Sequence, residues 1–287
     1  MADIRFVQAD TLKEKPADVS KVGFGRVFTD YMFEMDYNPE EGWHDARIVP
    51  YQDVPLSPAN ATLHYGQAIF EGCKAYRYEG GKAVVFRAKD HIARLNRSAK
   101  ILDIPEVDEK LVYDALMKLI DLEKDWIPDG PGQSLYIRPF IFSTDPYLGV
   151  SVGQYYKMMI ILSPVGAYYA NGFAPVKIMV EDTYVRAPKG GLGAAKTPAN
   201  YAASLHGGLI AHEKGYDQTL WTDGIEHKYI GEVGSMNILF KIDGKVVTPE
   251  LDGTILDGIT RRTVLRVCKE WGIPTEERRI SIDELIE

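Results

Sequence analysis

The sequence predicts an α+β protein of two domains. Long helical patterns stand between runs of strands that turn signals join into hairpins, which is the arrangement of α+β domains. A small, aromatic and turn-prone segment at 166–175 follows a buried strand and separates the two halves. We therefore expect a smaller N-terminal α+β domain over 1–168, an interdomain connection over 169–181 and a larger C-terminal domain over 182–287.

The elements of the first half follow from residue type and spacing. Aromatic and β-branched residues over Phe24–Met35 predict an early strand. The turn Glu79–Lys82 followed by Ala83–Phe86 predicts a hairpin, and Asp90 is expected to cap a helix with apolar residues at helical spacing. The other predicted elements are a helix over Glu109–Leu122 and buried strands over Leu135–Phe142 and Tyr156–Leu162.

The second half is predicted in the same way. It opens with a strand at Val176–Val180, and a glycine-rich loop leads into a helix over Pro198–Lys214. The Asp-Gly pair of Ile242–Gly244 is typical of a hairpin turn. The remaining predictions are strands at Gln218–Thr222, Lys228–Ile230, Asn237–Lys241 and Lys245–Thr248, a helix over Asp257–Trp271 and a last helix capped by Ser281.

The composition narrows the class of protein. The 287 residues are 45% hydrophobic and 26% charged, which is ordinary for a soluble globular protein. The net charge of −8 argues against nucleic acid as the main partner. The apolar run Met158–Leu162 is too short to cross a membrane, so a cytoplasmic location is expected. Cys73 and Cys268 are far apart and the six histidines are scattered, which argues against a disulfide framework, a metal site and a metal-dependent hydrolase.

One lysine of the second half is a candidate reactive residue. Lys196 follows the glycine-rich loop and is hemmed by Ala194, Ala195 and Pro198, so partial desolvation is expected to lower its pKa. A neutral amine can attack a carbonyl carbon. A loop lysine that points at water is the more common outcome for this feature alone. Tyr201, five residues on, places a hydroxyl within reach of the same site.

Three further segments place charge in unusual surroundings. Glu232 stands between two glycines in an apolar stretch, where a buried carboxylate could pair with a protonated ring nitrogen, although a turn glutamate facing solvent is the alternative. Arg94 and Arg97 are three apart on a predicted helix and suit a phosphate, but Arg97 is expected on the solvated face. Strand alternation puts Tyr136 and Arg138 on one side of a buried strand.

Five motifs together resemble the branched-chain amino acid aminotransferases, which are class IV aminotransferases with the fold-type IV architecture of pyridoxal 5′-phosphate (PLP) enzymes. The likeness runs along nearly the whole chain, and the motifs stand in the family's order and spacing. They are Phe24–Asp30, His64–Gly72, Tyr136–Pro139, Lys196–Tyr201 and Glu232–Asn237.

The resemblance implies a role for each matching residue at the cofactor. Lys196 matches the catalytic lysine that binds PLP, Tyr201 the partner of the phenolic oxygen, and Glu232 the partner of the pyridine nitrogen. The remaining cofactor matches are Arg94, Ser235, Leu256, Ile259 and Thr260. Arg94 and the backbone amides of Ile259 and Thr260 match phosphate ligands. Leu256 matches the apolar residue that lies against the cofactor ring.

The resemblance also implies a substrate pocket and an assembly. The residues that match the pocket are Phe24, Tyr65, Phe70, Tyr136, Arg138 and Tyr168. Tyr65 is expected to come from a neighbouring subunit, so a homodimer is implied. The family's further glycine- and threonine-rich phosphate loop would follow Glu287. We therefore expect the C-terminal part to be truncated, and this chain to be weak or inactive alone.

The function implied is transfer of the amino group of L-leucine, L-isoleucine and L-valine to 2-oxoglutarate, with PLP as cofactor and small amino acids and 2-oxo acids as partners. Three alternatives stay open from sequence. One is another fold-type IV enzyme, a D-amino acid aminotransferase or an aminodeoxychorismate lyase. The others are an inactive fragment and a PLP-free interaction domain.

Overall fold

The chain folds into two compact units, 1–173 and 174–287. The computed structural model describes residues 4–167 and 174–286. Both units combine helices with sheets, which are largely antiparallel in the first unit and mixed in the second, so the predicted α+β class is confirmed. Within the described residues, we find no helix with the length and apolar character needed to cross a membrane.

Among residues 4–167, eight strands form one sheet in the order β1-β3-β2-β8-β7-β5-β6, with β4 paired to β7. Every pairing is antiparallel except that of β1 with β3. The strands are β1 Arg5–Phe6, β2 Tyr31–Asn38, β3 Gly42–Pro50, β4 Ala68–Phe70, β5 Cys73–Arg77, β6 Ala83–Val85, β7 Ser134–Ser143 and β8 Tyr156–Val165.

Two helices bury their apolar faces with this sheet and build the core of the unit. They are α2 (Ala88–Ile101) and α3 (Glu109–Leu122), and a short α1 (Ala61–Tyr65) precedes them. Apolar side chains of both longer helices lie in one buried cluster with residues of β2, β7 and β8. Alternation along β7 sends Ile137 into this core and leaves Tyr136 and Arg138 on the opposite face. The core thus fixes which side chains of β7 are available to a site.

The unit 174–287 is built on two three-stranded sheets in its described residues, with the orders β11-β10-β9 and β12-β13-β14. Leu220, Ile230, Val233 and Val247 from both sheets share a buried cluster with Ile280. The elements are β9 Ile178–Glu181, α4 Pro198–Glu213, β10 Gln218–Thr222, β11 Ile230–Val233, β12 Phe240–Ile242, β13 Lys245–Thr248, α5 Ile259–Glu270, β14 Thr275–Glu277 and α6 Ile282–Ile286.

Some predicted boundaries are wrong for local physical reasons. The early strand begins at Tyr31 and not at Phe24, because the preceding residues form turns with Gly25 at a positive φ of 66°. Asp90 lies inside α2, whose N-cap is Arg87 at φ 51°. The strand predicted at Lys228–Ile230 instead runs over Ile230–Val233, because it pairs with β10 through that register. Glu232 is consequently a strand residue and does not follow the strand.

Candidate active site

Lys196 occupies the junction between the glycine-rich loop and α4. Thr197 is the N-cap of the helix and Pro198 its first residue, a position that suits proline because no backbone N–H is needed there. Asn200 donates from its side-chain amide to the carbonyls of Leu192 at 2.8 Å and Ala195 at 2.9 Å. These bonds fix the backbone directly before Lys196, so the lysine extends from an ordered point.

The Lys196 amine is half-buried and donates a hydrogen bond to the Tyr201 hydroxyl, with 2.7 Å between Nζ and the oxygen. The ammonium also lies 5.4 Å from the centre of the Tyr201 ring. A lysine pointing freely into water, the common alternative, is therefore not what the fold produces. The two residues form a paired amine and hydroxyl at the start of one helix.

A glycine permits the close approach that frames this site. A Cβ atom at Gly193 would lie 2.3 Å from the carbonyl oxygen of Thr254, well inside contact distance. The backbone of the glycine-rich loop therefore packs directly on the loop before α5, and any side chain at 193 would push the two apart. This packing places Leu256 near the lysine's helix.

Glu232 is a buried carboxylate with partners on both oxygens. Its exposed fraction is 3%. Oε1 accepts from the side-chain amide of Asn237 at 2.9 Å and from the backbone amide of Leu256 at 3.1 Å. Oε2 forms an ion pair with Arg186, at 2.7 Å from Nη2. The alternative of a turn glutamate facing solvent is wrong, and the predicted burial of Glu232 is confirmed.

Four of the seven predicted cofactor residues of this unit line one pocket, whereas Lys196, Ile259 and Thr260 are not among its lining residues. Tyr201, Glu232, Ser235 and Leu256 are among its lining residues, together with Arg186, Ala195, Asn200, Ser204 and Gly234. Ile259 and Thr260 open α5, a helix of 12 residues whose N-cap Gly258 supplies no side-chain hydrogen bond. Backbone amides at such a helix start favour an anion.

Arg94 lies in the unit 1–173, buried beside a carboxylate. Its Nε and Nη2 donate to the two oxygens of Glu71 at 2.6 and 3.0 Å, and His91 bonds to the same carboxylate through Nδ1 at 2.7 Å. Burial raises the pKa of Glu71, but the hydrogen bonds from His91 and Arg94 outweigh it and lower that pKa to about 2. The guanidinium is therefore held in a fixed position by a permanent anion.

Four of the predicted substrate residues come together in the same unit. Arg138 donates from Nη2 to the Tyr136 hydroxyl at 2.9 Å and lies 4.5 Å from the centre of the Phe70 ring. Phe24 packs edge-on against Tyr136, with ring centres 4.8 Å apart. Among the described residues, the buried Nε of Arg138 has no hydrogen-bond partner. A buried N–H without an acceptor is costly, so this face suits a ligand that carries a carboxylate.

The two remaining predicted substrate residues are Tyr65 and Tyr168. Tyr65 ends α1 with 45% of its surface exposed, and its ring lies 6.2 Å from His64. Tyr168 lies outside the described residues. In the part of the chain that the structure describes, no three histidine, cysteine or acidic side chains are grouped to hold a metal ion.

The partners that hold the predicted site residues in place were not predicted from the sequence. Arg186 pairs with Glu232 across 46 positions, and Glu71 pairs with Arg94 across 23. Asn237, the last residue of a motif singled out for Glu232, links that carboxylate to the carbonyl of Leu256 at 2.8 Å. The available signal for Glu71 was an acidic residue directly after the apolar Ala68–Phe70, a placement that demands a buried cation.

Comparison with known proteins identifies the class of protein. The family model of class IV aminotransferases matches residues 68–287. The chain is 54% identical over 284 residues to branched-chain-amino-acid aminotransferase 2 of Bacillus subtilis strain 168, covering 99% of this chain and 78% of the relative. The chain therefore belongs to the class IV aminotransferases and, within them, to the branched-chain amino acid aminotransferases.

Solved structures agree with this assignment. The branched-chain aminotransferase of Thermoproteus uzoniensis, determined with norvaline, has a TM-score of 0.76 at 27% identity, covering 89% of this chain and 80% of that one. A branched-chain amino acid aminotransferase from T.th., complexed with N-(5′-phosphopyridoxyl)-L-glutamate, has a TM-score of 0.71 at 26% identity, covering 88% and 78%. The fold of this chain is thus the fold of these aminotransferases.

Proposed function

We propose that this chain transfers the amino group of L-leucine, L-isoleucine and L-valine to 2-oxoglutarate, with Lys196 as the catalytic residue and PLP as the cofactor. The observation that carries the proposal is the half-buried Lys196 amine beside the Tyr201 hydroxyl, in the unit that also holds the buried carboxylate of Glu232. The 54% identity to a branched-chain-amino-acid aminotransferase over nearly the whole chain supports the reaction.

The donor set of the unit 174–287 fits PLP part by part. The Lys196 amine suits the aldehyde, the Tyr201 hydroxyl the phenolic oxygen, and Glu232 a protonated pyridine nitrogen. The start of α5 suits a phosphate because backbone amides at a helix N-terminus attract an anion, and the N-cap Gly258 supplies no side-chain hydrogen bond. PLP, when bound, supplies an aldehyde that takes up the amino group and a ring that withdraws electrons from the substrate's α-carbon.

The chain's own groups then orient the reactants and move the proton. The Lys196 amine would take the proton from the α-carbon of the amino acid and return it at the former aldehyde carbon of PLP. The Tyr201 hydroxyl, 2.7 Å from Nζ, keeps that amine directed towards the reaction. Glu232 would hold the proton of the ring nitrogen in a hydrogen bond. The roles of Arg94, Ser235, Leu256, Ile259 and Thr260 remain predictions that this proposal includes.

The face of Arg138 is proposed as the place of the substrate's carboxylate and side chain. The buried Nε of Arg138 needs an acceptor, and the adjoining rings of Phe24, Phe70 and Tyr136 offer an apolar wall. Leucine, isoleucine and valine differ by about one methylene, so we expect discrimination among them to stay within roughly 10- to 200-fold. The γ-carboxylate of glutamate would occupy the same space beside Arg138 and the tyrosines, and the T.th. enzyme is complexed with the phosphopyridoxyl derivative of glutamate.

The test is the absorption of the PLP-loaded protein together with its turnover of leucine. We expect Lys196→Ala to lose the visible absorption band of lysine-bound PLP and to lower turnover by at least about 100-fold, the contribution of a positioned proton-transfer group. Lys189→Ala is the matched control, because Lys189 is an exposed lysine of the same loop. If Lys196→Ala keeps both the band and the turnover, the assignment is wrong.

A second assay separates this proposal from the other fold-type IV reactions. The wild-type protein should use L-leucine as amino donor and should not use D-alanine. Preference for D-alanine would replace the proposed substrate class while leaving the role of Lys196 intact. The homodimer that would bring Tyr65 from a neighbouring subunit, and the cytoplasmic location, stay predictions, and sedimentation of the purified protein tests the dimer directly.

A further inference from the structure

A buried arginine, which lines the same pocket, forms an ion pair with the Glu232 carboxylate. The side chain of Arg186 is 10% exposed and that of Glu232 is 4% exposed. Arg186 Nη2 lies 2.7 Å from Glu232 Oε2, and the same nitrogen donates to the carbonyl of Thr254 at 2.7 Å. The arginine is thus fixed between a carboxylate and a backbone carbonyl.

Burial alone would favour a neutral Glu232. Removing a carboxylate from water disfavours its charged form, and a neighbouring cation within about 4–6 Å reverses that preference. An arginine is the cation that cannot escape by deprotonation, since it stays charged at every pH that proteins tolerate. Arg186 therefore maintains the anion at Glu232 before any ligand enters the pocket.

The hydrogen bonds on the other oxygen fix the direction of the carboxylate. Oε1 is held by Asn237 at 2.9 Å and by the amide of Leu256 at 3.1 Å, while Oε2 carries the arginine. Each carboxylate oxygen can accept more than one hydrogen bond. A donor that reaches Glu232 from the pocket consequently meets an ionised group whose orientation is already set.

We propose that Arg186 is a positioning residue of the cofactor site, which keeps the Glu232 carboxylate ionised and aimed at the protonated pyridine nitrogen of PLP. The inference rests on the proposed function, in which Glu232 is the partner of that nitrogen. Arg186 acts through Glu232 and needs no contact with substrate or cofactor.

The experiment is a double-mutant cycle read out as the PLP dissociation constant, obtained by titrating the cofactor-free protein with PLP. In the wild-type background, Arg186→Gln is expected to weaken PLP binding by about tenfold or more, as loss of an outer partner does at metal sites. In a Glu232→Gln background, the same substitution should change the constant by less than about twofold, since no charge remains to maintain.

Two further variants keep the result decisive if Arg186→Gln folds poorly. In Arg186→Lys the nearby Glu232 carboxylate favours the charged amine, so a cation remains beside Oε2 and PLP should bind within about threefold of wild type. Arg266→Gln removes an arginine from an exposed pair with Glu270 and should leave the constant unchanged.

Two results overturn the inference while leaving the proposed function in place. In the first, Arg186→Gln weakens binding by the same factor in both backgrounds, which would assign Arg186 only to the Thr254 loop. In the second, Arg186→Lys binds PLP as weakly as Arg186→Gln, so that charge beside Glu232 is irrelevant. A wild-type protein that fails to bind PLP at all would end the proposed function and this inference together.

Discussion

At the scale of single residues, two of the predicted cofactor residues are each buried beside a partner of opposite charge. Arg94 is buried against Glu71, and Glu232 is buried against Arg186. Isolated buried charges are costly, so a functional charge can be kept inside a fold only with such a partner. Under the proposed function, Arg94 and Glu232 serve the cofactor, and Glu71 and Arg186 are the partners that their burial requires.

Glu71 provides a test of this dependence in the unit 1–173. Glu71→Gln removes the anion from buried Arg94 and is expected to lower the free energy of unfolding by about 3 kcal/mol at pH 7. A carboxyl whose pKa falls on folding, here from 4.5 to about 2, stabilises the fold above its unfolded pKa. That stabilisation is lost as the pH falls towards about 2, so the difference between the proteins should shrink at pH 3.

Urea unfolding at pH 7 and pH 3 measures this difference. Glu79→Gln is the matched control, because Glu79 is exposed on the same unit and its removal should cost little. Equal unfolding free energies for wild type and Glu71→Gln at pH 7 would contradict the assigned role of the pair.

The local part of the site could be predicted from the sequence, and the distant part could not. Tyr201 follows Lys196 by five residues, so the start of one helix is enough to bring the hydroxyl to the amine. Arg186 and Glu232 are 46 positions apart, and they meet only because the loop after β9 packs beside β11. Spacing carries no information about such a contact, whereas the five motifs in family order did indicate which residues to expect.

At the scale of elements, a strong amphipathic pattern was enough to predict a helix and its bounds. Helix caps and short strands depend on contacts with other parts of the chain. The helix predicted over Glu109–Leu122 has those bounds in the structure. Asp90, predicted as a cap, lies within α2, because Arg87 adopts a left-handed conformation and begins the helix three residues earlier. Asp108, which carried no prediction, caps α3 by accepting from Lys110 N at 2.7 Å and Leu111 N at 2.9 Å.

The cap of α3 gives the prediction at this scale. Asp108→Ala leaves two backbone amides without their acceptor and is expected to destabilise the protein by about 1 kcal/mol. Asp114→Ala on the same helix removes only a surface pair with Lys110 and should cost less than about 0.5 kcal/mol. Thermal unfolding of the two variants under one buffer condition compares them. Similar losses for both would show that the cap does not stabilise the helix.

At the scale of the whole folded chain, buried carboxylates of opposite behaviour set the response of stability to pH. Glu71 is held as an anion, as argued above. Glu123 behaves in the other direction: burial raises its pKa to about 7, the charge of Asp30 adds to the rise, and the hydrogen bond from the Tyr31 amide opposes it. Asp30 accepts a hydrogen bond from Lys13 N at 2.6 Å, which joins it to the N-terminal segment. It also accepts from Trp126 Nε1 at 2.8 Å. Ionisation of Glu123 therefore places a buried negative charge close to the carboxylate of Asp30.

The sign of the effect follows from the direction of the shift. Because the pKa of Glu123 rises from 4.5 to about 7 on folding, its contribution to stability is complete below pH 4.5 and is lost as the pH rises through 7. After allowance for solvent screening, the loss is about 2 kcal/mol.

Glu123→Gln cannot ionise, yet its side-chain oxygen can still accept from the Tyr31 amide, which Glu123 binds at 2.5 Å. The variant should come within about 0.5 kcal/mol of wild type at pH 5 and exceed its unfolding free energy by about 2 kcal/mol at pH 8. Urea unfolding at the two pH values measures the difference. Glu40→Gln, at an exposed position, is the control for loss of a surface charge. If the advantage of Glu123→Gln is equal at pH 5 and pH 8, Glu123 does not titrate in this range.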